Sequence, residues 1–93
     1  MFEKIPIEVP INCKTEEELT ELLTEFERLG VNWANGEKAL EFFPFWEFEE
    51  DTCIMVRLHN EKALYLVYDT IDFYLSHHYN VMSFKGVKYE EHR

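Results

Sequence analysis

Residues 52–68 read TCIMVRLHNEKALYLVY, and this stretch decides the fold because it contains two β-rich runs joined by a turn signal. The runs are Thr52–His59 and residues 62–68, and both are rich in the branched and aromatic side chains that strands favour. Asn60 and Glu61 separate them, a spacing typical of a β-hairpin. The stretch therefore predicts two neighbouring strands in antiparallel pairing.

An amphipathic helix is predicted upstream of the hairpin. Thr15 and Glu18 form a capping box, in which the Thr15 hydroxyl accepts from the Glu18 amide and the carboxylate reaches back to the Thr15 amide. Four leucines and Phe26 then recur at helical spacing, and Gly30 supplies the left-handed residue that ends the helix.

The N-terminal segment alternates apolar and polar side chains over residues 5–13, a pattern that predicts a strand. Pro6 and Pro10 cannot donate ladder hydrogen bonds. We therefore expect this strand to lie at the edge of the sheet. The alternative is that its backbone amides on the proline side face solvent.

Weaker local signals predict the remaining elements. In chain order these are an extended segment over residues 31–33, a tight turn at Asn35-Gly36, a short helix over residues 71–78 capped by Asp69 or Thr70, and a last strand over residues 79–84. Residues 41–51 (EFFPFWEFEED) have no clean period, which predicts an irregular, partly exposed loop in which a short strand can form.

Together these elements predict a single α+β domain spanning residues 1–93. The order is β-α-β-β-β-α-β, with a mainly antiparallel sheet and the helices on one face. A chain of 93 residues can bury one modest core, and its 16% aromatic content supplies the burial that ordering requires.

The negative charge of the chain is concentrated in one segment. Residues 15–51 hold 12 of the 19 acidic side chains against Arg28 and Lys38, and so carry the whole formal net charge of −10. Such a field repels nucleic acid and anionic membranes and attracts basic protein surfaces. We therefore expect a basic protein partner and no direct contact with nucleic acid or membrane.

The N-terminal stretch MFEKIPIEVP lacks the basic, apolar and small-residue regions of a signal peptide. No segment approaches the roughly 20 apolar residues that a membrane span needs. This pattern favours a cytoplasmic location.

The residues that carry chemistry do not form a recognisable catalytic or metal site. Cys53 and His59 would lie roughly 20 Å apart along a strand. His77 and His78 are adjacent, so on a helix they point about 100° apart and do not bind one metal. Cys13 and Cys53 fit neither a disulfide framework nor a zinc site and are expected to be buried thiols. We expect a non-enzymatic protein without a metal or cofactor.

Residues 41–51 interleave five aromatic rings with carboxylates, and this segment is the candidate interaction site. Large rings anchor interfaces, while carboxylates match arginines on a partner. The other interpretation is that the rings simply complete the core. The candidate partner-binding residues, with Phe45 or Trp46 as the anchor, are Glu17, Glu21, Glu25, Phe45, Trp46, Glu47, Glu49, Glu50 and Asp51.

Several short motifs carry a resemblance to a known group of proteins. Gly30, Trp33 and Gly36 form a G-x-x-W-x-x-G segment after the helix, followed by Cys53-Ile54-x-Val56, Leu64-x-Leu66-x-Tyr68 and Tyr79-x-Val81-x-Ser83-Phe84. In this order they resemble small proteins of phages and prophages of low-GC Gram-positive bacteria. The resemblance implies a compact α+β fold and a phage accessory role, and it transfers no catalytic residues.

The charge and the resemblance together favour an inhibitor of a host defence protein, as in the anti-CRISPR group. It would occupy a basic, nucleic-acid-binding surface in the host cytoplasm and act as a DNA mimic. Two alternatives stay open: a phage structural or assembly module, and a homo-oligomer that sequesters a nucleotide immune signal. The candidate ligand-binding residues for the second alternative are Trp33, Asn35, Arg57 and Lys62.

Overall fold

The computed structural model describes residues 5–41, 46–60 and 63–90 of the 93-residue chain. The described part forms five strands and three α-helices, which confirms the α+β class. In chain order the elements are β1 (Ile11–Asn12), α1 (Glu16–Arg28), β2 (Asn32–Trp33), a 3-10 segment (Trp46–Asp51), β3 (Thr52–His59), β4 (Ala63–Thr70), α2 (Ile71–Ser76), β5 (Met82–Ser83) and α3 (Phe84–Glu90).

The sheet has the strand order β2-β4-β3-β1-β5 and is mixed. Its centre is the predicted hairpin, in which β3 and β4 pair antiparallel from Thr52↔Thr70 to His59↔Ala63. β1 is also antiparallel to β3, whereas β5 is parallel to β1 and β2 is parallel to β4. Long antiparallel strands thus occupy the centre, and short parallel strands close both edges. The predicted turn residue Glu61 lies outside the described residues.

The N-terminus of α1 matches the predicted cap with one difference. The Thr15 hydroxyl accepts from the Glu18 amide at 3.1 Å. The Glu18 carboxylate accepts from the Lys14 amide at 2.9 Å, one residue earlier than the reciprocal bond that the capping box predicts. Glu16, Glu17 and Glu18 in the first turn also complement the positive end of the helix dipole.

α1 and α2 end in the same hydrogen-bonded motif, in which a residue just after the helix has a positive φ. That residue differs between the two helices. In α1 this residue is Gly30, with φ of 79°, whereas in α2 it is His78, with φ of 67°. The following residue then donates back to the last turn, as Tyr79 does to the Tyr74 carbonyl at 3.0 Å. A histidine therefore occupies a conformation that glycine adopts without steric cost.

Replacing His78 with glycine is expected to raise the free energy of unfolding by about 1 kcal/mol, because a side chain in the left-handed region costs about 1–2 kcal/mol. Urea denaturation measures the change. The matched control is Gly30→Ala, where an added Cβ meets no atom within 4 Å. A decrease of about 1 kcal/mol in its free energy of unfolding would therefore come from the backbone conformation and not from a steric clash. A His78→Gly variant less stable than the parent would contradict this account.

The prediction that the N-terminal strand lies at a sheet edge is wrong. β1 covers two residues and lies between β3 and β5. Both prolines precede it, and Glu8, with φ of 61°, interrupts the extended run between them. The Pro10 carbonyl accepts from the Met82 amide at 2.9 Å. A proline is tolerated beside an inner strand here because only its acceptor is used.

The prediction that the helices share one face of the sheet is also wrong. One core contains buried side chains of α1 and α3 together with Ile54 and Val56 of β3. A second core contains Tyr74 of α2 together with Cys53 and Met55. Because residues 52–56 are buried at every position, both faces of β3 need a cover.

Two segments differ from their predicted structure. The predicted last strand is reduced to β5, because the Ser83 hydroxyl accepts from the Gly86 amide at 2.9 Å and α3 begins at Phe84. The described part of the predicted loop, residues 46–51, forms 3-10 turns that break at Glu49, with φ of 47°. The turn at Asn35-Gly36 is confirmed, with the Gly36 amide donating to the Trp33 carbonyl at 2.9 Å.

Candidate functional site

Hydrogen bonds bring the end of one acidic stretch next to the chain that precedes another, although the two are distant in sequence. The Asn12 Nδ2 donates to the Glu50 carbonyl at 2.8 Å and to the Thr52 carbonyl at 3.1 Å. The Cys13 amide also donates to the Thr52 carbonyl, at 2.9 Å. The end of the 3-10 segment is therefore held against the chain that leads directly into α1.

We call the exposed carboxylates on both sides of these bonds the acidic cluster. Its members are exposed carboxylates from the first turn of α1 and from the end of the 3-10 segment, and they are Glu16, Glu17, Glu49, Glu50 and Asp51. The nearest cation along the chain is the exposed Lys14. Five carboxylates on two hydrogen-bonded segments create a local negative potential directed at solvent.

Buried polar side chains position this cluster. Asn12 is 4% exposed and Thr52 is fully buried. The Thr52 hydroxyl donates to the Glu49 carbonyl at 2.8 Å, beside the two bonds from the Asn12 amide. Buried polar groups with satisfied bonds fix a backbone more sharply than apolar contacts do. Sequence reasoning missed Asn12, which occupies one of the polar positions of the alternating N-terminal pattern.

The predicted helical acids divide into two environments. Glu17 and Glu21 lie exposed on α1, as expected. Glu25 is 7% exposed and forms an ion pair with the Nε of Arg28, one turn later. The Arg28 guanidinium lowers the pKa of Glu25, so its contribution to stability is present at neutral pH and is lost as the pH falls through that lowered pKa. The Glu25 carboxylate therefore stabilises α1 and is not part of the exposed acidic surface.

The aromatic part of the predicted site lies largely against the core where the structure describes it. Trp46 is half-buried and packs against the α1-side core. The Phe48 ring lies 6.0 Å from that of Tyr68. Phe45 lies outside the described residues, as does the side chain of Glu47. The described rings thus fit the interpretation that they complete the core.

The three described members of the candidate ligand-binding set, Trp33, Asn35 and Arg57, do not form one site. Trp33 is 5% exposed, and its Nε1 donates to the Ala39 carbonyl at 2.9 Å. The Asn35 side chain accepts from the amide of Glu37 and so shapes the turn. Arg57 lies on β3 and pairs with Glu8, while Lys62 is outside the described residues.

An open cleft of about 520 Å³ adjoins Trp33 at the edge of the sheet. Its lining includes Gly36 of the turn and His59 and Tyr65 of the hairpin, whose rings meet edge to face at 6.3 Å. The described residues of this lining include no arginine or lysine. A phosphate-bearing ligand would therefore find no fixed positive charge among the described lining residues.

The two thiols are buried, as expected, and they belong to different cores. Asn12 pairs with Cys53 across β1 and β3, so the neighbouring Cys13 points to the opposite face of the sheet. Burial raises the pKa of Cys13 far above its usual range and raises that of Cys53 to about 12. Both sulfurs stay protonated at neutral pH and are poor nucleophiles.

Two further observations concern the described residues alone. Residues 5–41, 46–60 and 63–90 contain no group of three His, Cys, Asp or Glu side chains that could hold a metal ion. In the same ranges, every helix is too short or too polar to cross a bilayer.

No protein-family model, curated protein or solved structure matches the chain. The structural features of this protein that bear on its function are therefore the acidic cluster and the cavities.

Proposed function

We propose that this protein is a non-enzymatic interaction module whose acidic cluster binds a basic protein surface. The observation that carries the proposal is the set of bonds from Asn12 and Cys13, which hold residues 50–52 beside the chain that leads into α1. Carboxylates on a fixed backbone lose less entropy when they form charge-assisted hydrogen bonds with arginines.

The partner that fits this cluster is a basic protein that itself binds nucleic acid. Carboxylates held on two adjoining segments can occupy arginine and lysine sites that otherwise hold phosphates. Together with the resemblance to phage accessory proteins, this favours an inhibitor of a host defence protein that acts in the host cytoplasm. Binding of this kind weakens as salt screens the charges.

The contact surface in this proposal is smaller than the set of acids in the sequence. It comprises the five residues of the acidic cluster, of which Glu16 was not among the predicted contacts, and the exposed Glu21 four residues after Glu17 on α1. Glu25 is left out because it is buried and paired. Trp46 is left out because it packs against the core, whereas Phe45 and Glu47 stay predicted contacts.

A pair of charge-matched triple variants tests the proposal. The cluster variant carries Glu49→Gln, Glu50→Gln and Asp51→Asn, and the control carries Glu37→Gln, Glu41→Gln and Asp72→Asn, which are exposed acids elsewhere. We expect the cluster variant to bind its partner at least about tenfold more weakly, because each charge-assisted bond contributes about 1.5–3 kcal/mol. The control should bind as the parent does.

Crosslinking mass spectrometry of the tagged protein in its native host identifies the partner, and titration of the purified pair measures affinity. The partner should be basic, duplex DNA should compete for it, and the affinity should fall steeply between low and high salt. Equal losses in both triple variants, or an affinity indifferent to salt and DNA, would refute the proposal.

A further inference from the structure

A groove of about 290 Å³ lies on the face of the sheet that α2 covers. Its lining includes Met55 and Val67, which pair across β3 and β4. Phe73 and His77 of α2 line it as well. α2 spans six residues, so it covers part of this face and leaves the groove open beside it.

The side chain of Arg57 supplies a positive charge at one end of this groove. Arg57 is the second residue after Met55 on β3 and faces the same side. Its Nε pairs with the Glu8 carboxylate at 3.3 Å, and its side chain is 46% exposed. The bond to Nε orients the guanidinium, and the two terminal nitrogens of an arginine form the fork that binds a carboxylate.

The side chain of Asp69 supplies a negative charge towards the other end. Asp69 pairs with Cys53, four positions before Arg57 on the same strand. At about 3.3 Å per residue, the two backbone positions are roughly 13 Å apart. One Asp69 oxygen accepts from the Thr70 amide at 2.7 Å. The groove therefore has a positive and a negative end, separated by the apolar pair of Met55 and Val67.

Aromatic rings form the wall between these ends. Phe73 is 40% exposed although it lies on a helix that packs on the sheet. Its ring lies 4.3 Å from the His77 ring and 5.2 Å from that of Tyr74, which in turn meets Tyr79 at 5.5 Å. Neighbouring rings restrict the exposed Phe73 ring, and its free side offers a flat apolar surface.

We propose that this groove binds a small aromatic monocarboxylate. The carboxylate pairs with the terminal nitrogens of Arg57, and the ring lies over Met55 and Val67 against Phe73. The volume is at the lower end of ligand sites, which begin at about 300 Å³, so the ligand is small. A second negative charge is disfavoured because it would face Asp69 in a protein whose net charge is already −10.

An NMR titration of the ¹⁵N-labelled protein with 3-phenylpropionate tests this site. We expect saturable shifts of the Val67, Phe73 and Tyr79 amides with a dissociation constant of about 1 mM, as is usual for a ligand of this size. The uncharged 3-phenylpropionamide should bind at least about tenfold more weakly, because the charge-assisted pair is lost. No saturable shift of these amides up to about 10 mM would overturn the proposal.

Variants separate the proposed contacts from general effects of charge. Arg57→Gln should weaken 3-phenylpropionate binding at least about tenfold, whereas Lys85→Gln removes an exposed cation elsewhere and should not change it. Asp69→Asn keeps an acceptor for the Thr70 amide and should let 1,4-phenylenediacetate bind as well as the monocarboxylate does. Equal binding by the Arg57→Gln and parent proteins would overturn the assignment.

This inference does not depend on the acidic cluster. The triple variant of residues 49–51 should bind 3-phenylpropionate as the parent protein does, because none of its changes lines the groove. A loss of partner binding without a loss of ligand binding, or the reverse, therefore distinguishes the two proposals.

Discussion

Asn12→Asp is expected to lower the free energy of unfolding by about 4 kcal/mol at pH 7. The change replaces an amide donor by a carboxylate that would face the carbonyl oxygens of Glu50 and Thr52 at a site 4% exposed. An uncompensated buried charge costs about 3–5 kcal/mol, a large part of the 5–15 kcal/mol that stabilises a domain of this size. Urea denaturation with paired wild-type measurements gives the difference.

The pH dependence of this difference identifies its cause. Burial and the two facing carbonyls raise the folded-state pKa of the introduced carboxyl above its unfolded value of about 3.9. The deficit should therefore be smallest below pH 4 and should grow as the pH rises through the folded-state pKa. Asn12→Leu removes the bonds without adding a charge, and should cost about 2 kcal/mol independently of pH. A deficit of Asn12→Asp that stays constant with pH would contradict this explanation.

Phe26→Ala is expected to cost about 3–5 kcal/mol, because it removes a large fully buried side chain and leaves a cavity. Phe26 lies in the last turn of α1 within the core that joins this helix to β3. Its loss should lower the urea midpoint without a change in the slope of the transition. Circular dichroism in urea measures both quantities.

Leu75→Ala is the matched control for this truncation. Leu75 is 54% exposed on α2, so the same kind of change should alter stability by less than about 1 kcal/mol. A loss at Leu75 as large as that at Phe26 would show that burial on α1 does not dominate the stability of the domain.

The elements that the sequence predicts well have strong local signals. The β3–β4 hairpin follows from two β-rich runs and one turn, and β3 has the predicted bounds. α1 follows from its Thr15 cap, its apolar spacing and Gly30 at its end. These signals act between neighbouring residues, so they can be recognised without knowledge of the tertiary structure.

The features that the sequence does not predict depend on contacts between distant residues. The inner position of β1 requires Pro10 to act as an acceptor for Met82, which no local pattern indicates. The division of the helices between two faces follows from residues 52–56 being buried on both sides. An uninterrupted apolar run predicts a buried strand but does not say which helix covers each face.

The arrangement of the candidate acids also depends on contacts between distant residues. Glu17, Glu49 and their neighbours are evident as an excess of charge. The bond from the Asn12 amide places the Glu50 backbone beside the chain that leads into α1, and the burial of Glu25 depends on the orientation of α1. Composition locates the charge, whereas long-range bonds decide which carboxylates share a surface.

The short inner strand β1 has a consequence for how the chain folds. The hairpin closes between neighbouring residues, but β1 joins β3 and β5, which come from the middle and the far end of the sequence. Two large loops must therefore close before the sheet is complete, and loop closure costs entropy before the contacts compensate for it. We therefore expect the hairpin to form early and the N-terminal segment to dock onto it in a late step.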